Sequence, residues 1–176
     1  SMVREAWKLA SILRRNRYAK GALDLDFPEV RAVMDKDGRV TDIITEEYDE
    51  SHQLIEECML AANEAVALTL KNRNRPTIYR VHEEPDSAKL FEFGQLCKLY
   101  GHPVHDIGQR QYLNELMKSI KGSPDEQLLK LALLKSLMRA RYDTEPLGHY
   151  GLATANYCHF TSPIRRYADL VVHRSL

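Results

Sequence analysis

The chain has 176 residues, 44% of them hydrophobic and 28% charged, which is enough for one domain with a real core and argues against disorder over most of its length. Lys plus Arg and Asp plus Glu each number 25, so the overall charge singles out no nucleic acid, membrane or acidic substrate, and any such partner must be read from local clusters. The three cysteines, Cys58, Cys97 and Cys158, are widely spaced and form no CxxC or Cys/His pattern; they support neither a disulfide framework nor a zinc site and suit a reducing cytosol.

No apolar run approaches the roughly 20 residues of a membrane span, and no signal peptide is read at the start, so a cytoplasmic protein is expected. Ser1-Met2 ahead of Val3 reads as a cloning scar, and the chain stops at Leu176 inside a helical pattern without a C-cap. Both ends are therefore expected to be internal to a longer protein, with residues 3–176 as one unit.

In chain order, VREAWKLASILRRNR places Val3, Trp7, Ala10 and Ile12/Leu13 at helical spacing, with its basic residues toward the end that suits the helix dipole. Tyr18 to Phe27 sets Leu23 and Leu25 against Asp24 and Asp26 before Pro28, the pattern of an extended stretch packed on one side. Val30–Met34 and Val40–Ile44 form a predicted β-hairpin, with Asp37-Gly38 supplying the positive φ of its turn. From Asp49 to Leu70, apolar residues including Leu54, Ile55, Cys58, Met59, Ala62 and Val66 recur every three or four positions, predicting a long central helix. Ile78 to His82 reads as a short strand, Pro85-Asp86 as the cap of a helix over Ser87–Tyr100, and Gly101, Pro103 and Gly108 as a loop. Helices follow at Gln109–Ser119 and, after Ser123-Pro124, at Asp125–Arg139; an irregular stretch around Pro146 and Gly148 leads to a last helix over Pro163–Leu176. The expected class is α+β, predominantly helical, in a single unit.

The segment YCHFTSPIRRYADLVVHR is the richest in chemistry. Ser162 reads as an N-cap and Pro163 as the first helical residue, which puts Arg165 in the first turn, where free N–H groups and the helix dipole favour an anion. Its guanidinium can add a bidentate grip, making Arg165 the best phosphate ligand in the chain. Asp169 follows Arg165 by four residues and Arg166 by three, and His173 follows Asp169 by four, so one helical face could carry charge pairs that orient the arginines. A solvated salt-bridge ladder is the simpler alternative. On the long helix, Glu56 and Asn63 share a face two turns apart, next to the doublet partner Glu57. Tyr79 and His82 could touch a nucleic acid, but aromatic residues in short strands are more often core. Cys58 and Cys97 lie on apolar stripes and are expected to be buried, inert thiols. The remaining histidines show no ligand spacing, and no metal site is read.

HFTSPIRRYADLVVHR resembles the signature near the end of the ribonuclease II catalytic domain, and its TSPIRRY form is most similar to the ribonuclease R branch. GALDLDFPEVR, DGRVTDI, LIEECMLAANEAVA, IYRVHEEPD and GHYGLA also follow in that family's order. The resemblance implies a partial ribonuclease II-type catalytic domain from a processive 3′ to 5′ exoribonuclease. Such an enzyme hydrolyses single-stranded RNA to nucleoside 5′-monophosphates with two magnesium ions. It further implies that Arg165 grips phosphate beside the scissile bond, that Glu56 rather than Glu57 bonds the ribose hydroxyls of the 3′ nucleotide, and that Ser162, Arg166, Tyr167 and His173 are further RNA contacts.

The aspartates that hold the magnesium in that family have no counterpart here, because Asp24 and Asp26 are separated by a leucine and fall too late in the family's order. The chain alone is therefore expected to bind no magnesium and to be inactive, and to cover exposed surface by homodimerising. Two other readings stand beside this one: a non-catalytic RNA-binding or regulatory module descended from the same domain, and a helical protein-interaction domain.

Overall fold

The computed structural model describes residues 2–25, 27, 29–46 and 49–176. Among the described residues six helices and four short strands follow in the order α1 (Met2–Ala19), β1 (Glu29–Met34), β2 (Val40–Glu46), α2 (Glu50–Asn72), β3 (Tyr79–Val81), α3 (Ser87–Leu99), α4 (Arg110–Ile120), α5 (Glu126–Ser136), β4 (Arg141–Asp143) and α6 (Tyr167–Ser175). The α+β, predominantly helical class is the one expected. Ser1, Asp26 and Pro28, on which parts of the sequence reading fell, lie outside the described residues.

Local signals explain most of the boundaries. Asp49 caps α2 by accepting from the Ser51 and His52 N–H groups at 2.9 and 3.1 Å, and Asp86 caps α3 in the same way through Ala88 and Lys89. β1 and β2 pair antiparallel from Glu29↔Glu46 to Met34↔Val40, and Gly38 takes φ 76° in the turn between them.

Two apolar clusters hold the molecule. One packs α3, α4 and α5 around Phe93, Leu113, Ile120, Leu129 and Leu133, where a fully buried leucine contributes roughly 1.5–3 kcal/mol. The other joins Ala67 and Leu70 of α2 to Tyr79, Val81, Cys158 and Val172. Tyr79 and His82 are thus both buried, in line with their reading as core. Arg110 ties distant segments together: its Nη1 donates to the carbonyls of Gly21 (3.0 Å) and Tyr150 (2.7 Å), and its guanidinium lies 3.9 Å from the Tyr150 ring centre. Gly21, at φ 98°, makes room for it, since a Cβ there would stand 2.6 Å from the Arg110 side chain.

Four expectations need correction. α5 stops at Ser136 instead of Arg139, because the chain turns extended at Leu137 (ψ 152°). The three-residue strand β4 exists as the antiparallel partner of β3. The stretch read as extended from Tyr18 starts later, because α1 runs to Ala19; after it Ala22 and Leu23 are buried and the Leu23 N–H donates to the Gly151 carbonyl at 3.0 Å. Cys58 is exposed, since α2 is covered on only part of its apolar circumference, whereas Cys97 and Cys158 are buried. Burial lifts the Cys97 thiol to about 11 and Cys158 to about 12, leaving both protonated and inert. Among the described residues, no helix is long and apolar enough to cross a membrane.

Candidate nucleic-acid interface

α2 supplies one wall of the candidate site. Successive helical residues point about 100° apart, so the Glu56-Glu57 doublet is split between two environments. Glu57 is 2% exposed and closes a bidentate ion pair with Arg17 of α1. Burial works against charge on Arg17, but the bond to Glu57 outweighs it and raises the guanidinium pKa further. Glu56 is half-buried, with Arg14 Nη1 and Arg17 Nη2 each 3.9 Å from its oxygens.

Glu56 opens into a cavity of about 440 Å³ together with His52, Met59, Asn63, Tyr157 and Arg166. Glu56 and Asn63 therefore share a face, as their spacing predicted, and Arg166 meets them there. Asn63 is 2% exposed, and its Nδ2 donates to the Tyr157 hydroxyl at 3.0 Å. Burial raises the Tyr157 pKa, with the Asn63 bond opposing. Aromatic rings continue from Tyr157 to His149 (5.4 Å between centres) and His159 (5.9 Å), and from His159 to Tyr142 (5.6 Å). Burial pushes His149 and His159 down to about 4 each, so both are neutral at pH 7.

The second wall is the turn that carries TSPIRR, and here the sequence reading needs revision. α6 begins at Tyr167 with Arg166 as its N-cap, so Ser162 is not the cap and Arg165 is not in the first helical turn. Asp169, fully buried, explains the difference. Its Oδ1 takes the Ser162 N–H at 2.7 Å, and its two oxygens take the Arg166 fork at 2.8 and 2.9 Å. The Arg165 and Arg166 N–H groups both turn back onto the Ser162 carbonyl, at 3.3 and 3.2 Å. Burial alone would raise the Asp169 pKa, but the Arg166 fork and the Ser162 N–H outweigh it and hold the carboxyl below its ordinary value.

Asp169 thus orients Arg166 and not Arg165, and its complete burial rules out a solvated ladder. His173 stands apart from Asp169 as well: its ring stacks on Phe160 at 4.2 Å, and its Nε2 lies 3.0 Å from the Phe160 carbonyl, to which it donates. Arg165 is exposed, and among the described residues its guanidinium meets no acidic or hydrogen-bonding partner. Beside it, Ile164 is 98% and Tyr167 70% exposed, so Tyr167 is no core residue.

The residues that sequence reasoning left without a role are Arg17 and Tyr157, and Asn63 beyond its shared face with Glu56. A lone amide on an alanine-rich helical face is the signal that pointed to Asn63. A larger cavity, about 630 Å³, lies between the end of α1 and α4, beside Lys20, Lys118 and Lys121, and holds none of the predicted site residues. Among the described residues, no group of three or more His, Cys, Asp or Glu could hold a metal ion, so they do not fit a magnesium pair. What they can do is accept from vicinal hydroxyls at Glu56, present a free guanidinium to a phosphate at Arg165, and offer an exposed ring at Tyr167.

Comparison with known proteins identifies the family and the fold. The RNB domain family model matches residues 1–176. The ribonuclease R of Aquifex aeolicus is 39% identical over 171 residues, covering 96% of this chain and 24% of that protein. Among solved structures, Mycoplasma genitalium RNase R in complex with ribose-methylated single-stranded RNA superposes with a TM-score of 0.92 at 30% identity, over 99% of this chain and 28% of that one. Yeast Ssd1, described as a pseudonuclease, is more distant, with a TM-score of 0.65 and 28% identity over 73% of this chain and 17% of that one. This chain accordingly spans about a quarter of the length of the curated relatives it matches. Matched throughout by the family model and sharing the fold of a ribonuclease R, the chain belongs to the RNB domain family.

Proposed function

We propose that this chain is the RNA-holding portion, residues 3–176, of the catalytic domain of a processive 3′ to 5′ hydrolytic exoribonuclease that releases nucleoside 5′-monophosphates from single-stranded RNA. The observation that carries the reading is the meeting of Glu56, Asn63 and Arg166 at one cavity of about 440 Å³, with the exposed Arg165 next to Arg166 in the chain, in a family whose ribonuclease R member from Mycoplasma genitalium was solved with single-stranded RNA.

Glu56 accepts from the ribose hydroxyls of the 3′ nucleotide, the contact that separates RNA from DNA. Arg165 grips the adjacent phosphate and stabilises charge as the phosphodiester is attacked, an electrostatic role of the kind that contributes on the order of a hundred- to thousand-fold in rate. Arg166 serves Asp169 with Nε and Nη2, which leaves Nη1 for RNA. Tyr167 offers a stacking face, and Ser162 and His173 complete the wall.

Magnesium in the parent protein supplies the activated water, held by carboxylates other than the described residues. The chain alone is then inactive as a hydrolase. The reading includes a cytoplasmic location, supported by three free cysteines. It also includes homodimerisation of the isolated chain, supported by the exposed apolar residues Val30, Met34, Val40 and Ile43 of the hairpin.

A second reading, a non-catalytic RNA-binding module, draws support from the likeness to the Ssd1 pseudonuclease. The test is to incubate the chain with 5′-labelled single-stranded RNA and magnesium while following binding by fluorescence anisotropy. No cleavage, with salt-sensitive binding that Arg165→Ala weakens, is expected. Stepwise shortening by this chain alone overturns its inactivity, and absence of RNA binding overturns the reading as a whole. The full-length parent in the same assay separates hydrolase from binding module, because only the former shortens RNA from the 3′ end.

A further inference from the structure

Residues 158–162 belong to no strand, so their backbone N–H groups must find acceptors elsewhere. Two buried side chains supply them. Asn63 Oδ1 accepts from the N–H groups of both Phe160 (3.0 Å) and Thr161 (3.2 Å), while its Nδ2 donates to the Tyr157 hydroxyl (3.0 Å). The Cys158 thiol donates to the Asn63 backbone carbonyl at 3.4 Å. The next N–H along the chain, that of Ser162, goes to Asp169 Oδ1 at 2.7 Å. Three successive N–H groups thus end on one residue of α2 and one of α6, immediately before the turn that bears Arg165.

We infer that Asn63 is a positioning residue for the RNA site, stapling the approach to the Arg165 turn onto the same helix that carries Glu56. The inference rests on the reading of Glu56 and Arg165 as ribose and phosphate contacts and adds how their separation is set. Asn63 lies two helical turns from Glu56 on one face of α2, so a rigid element connects the two contacts. Beyond the staple the turn is held by its own Ser162 carbonyl and by the Asp169–Arg166 fork, while at its tip the Ile164 side chain is almost wholly exposed and, among the described residues, the Arg165 side chain has no partner.

The side chain must be an amide or its isostere for this task. Alanine at position 63 removes the acceptor of two part-buried N–H groups and the donor to the Tyr157 hydroxyl. Aspartate keeps an acceptor for both N–H groups and lets the tyrosine donate in its turn.

The experiment pairs amide hydrogen exchange with anisotropy on single-stranded RNA, using Asn63→Ala and Asn63→Asp, each alone and combined with Arg165→Ala. Asn63→Ala is expected to speed exchange at Phe160 and Thr161 by about ten-fold or more while α4 and α5 stay protected, and Asn63→Asp to preserve that protection. RNA affinity is expected to fall about ten-fold for Asn63→Ala in the wild-type background, and by less than about two-fold where Arg165 is already alanine. That dependence is what a merely structural residue would not show. Equal losses in both backgrounds, or unaltered exchange at residues 160 and 161, overturn the inference while leaving the proposed function standing. A wild-type chain that binds no RNA overturns the proposed function and this inference with it. If Asn63→Ala does not fold, Tyr157→Phe removes one bond to the amide without opening a large cavity, and the same Arg165-dependent loss is expected at about three-fold.

Discussion

Arg17 grips Glu57 and not Glu56, whose nearest oxygen it approaches only to 3.9 Å. One glutamate of the doublet is thereby turned into the seam between α1 and α2, and its neighbour faces the cavity, where the proposed function assigns it to the ribose. The pair does two things at once: it anchors α1 and it assigns different jobs to two adjacent, chemically identical side chains.

If Glu57 is structural, removing Arg17 strands a buried carboxylate. Arg17→Ala is expected to destabilise the chain by about 3 kcal/mol, because breaking a buried pair leaves an uncompensated charge. Arg17→Met combined with Glu57→Leu is expected to recover most of that loss. Urea unfolding midpoints measure both, and an unchanged midpoint for Arg17→Ala would show that the α1/α2 seam does not depend on this pair.

Glu56 makes the opposite prediction. Glu56→Gln keeps shape but weakens a charge-assisted acceptor, so the preference for single-stranded RNA over DNA of the same sequence is expected to drop about ten-fold with little change in stability. Glu57→Gln is expected to leave that preference alone. Competition anisotropy with matched RNA and DNA oligonucleotides decides it, and equal loss of preference in both variants would undo the division of labour within the doublet.

What was legible in the sequence, and what was not, follows from the range of the interactions. α2 and α3 were readable because an Asp cap and a three-to-four-residue apolar rhythm are local signals. β4 was not, since Arg141-Tyr142-Asp143 carries no apolar alternation and becomes a strand only beside β3. The start of α6 misled for the same reason: Ser162-Pro163 has the local form of a helix start, but Asp169, seven residues on, captures the Ser162 N–H and the Arg166 fork and delays the helix to Tyr167. Cys58 misled because the rhythm marks an apolar stripe without saying what covers it, and on α2 even Ile55 and Leu68 are exposed. Of the candidate site, the shared face of Glu56 and Asn63 could be read, whereas the contacts of Asn63 with residues 157–161 join positions nearly a hundred residues apart.

Arg165 is exposed and, among the described residues, its side chain forms no internal bond, so loss of the guanidinium should cost binding and not folding. Arg165→Ala is expected to lower RNA affinity about five- to ten-fold at low salt and to flatten the dependence of log affinity on log salt by about 0.7, the share of one phosphate on a single strand. Its unfolding midpoint is expected to match that of the wild type. A salt slope identical to the wild type would remove Arg165 from the list of phosphate contacts.

Two half-buried histidines give the chain a defined acid sensitivity. His149 and His159 are pushed down to about 4 from an ordinary value of 6.5, chiefly by burial and further by neighbouring positive charge. A base whose folded pKa is depressed binds fewer protons folded than unfolded between those two values, so its contribution to stability is present above 6.5 and is lost as pH falls toward 4. Asp169 extends the trend, because its depressed folded pKa means that stability is lost on protonation below the ordinary carboxylate range. Stability is therefore expected to be flat above about pH 7 and to fall between pH 6.5 and 4, with His82, lowered in the same direction by burial, adding to the proton uptake on unfolding. Urea midpoints at pH 7.5, 6.5, 5.5 and 4.5, chosen to bracket that window, measure the slope. His149→Asn is expected to make it shallower while lowering the neutral-pH midpoint, since the variant loses the ring contact with Tyr157. A midpoint that stays level from pH 7.5 to 4.5 would mean that both imidazoles take up protons in the folded chain at no cost, and that their burial does not control their charge.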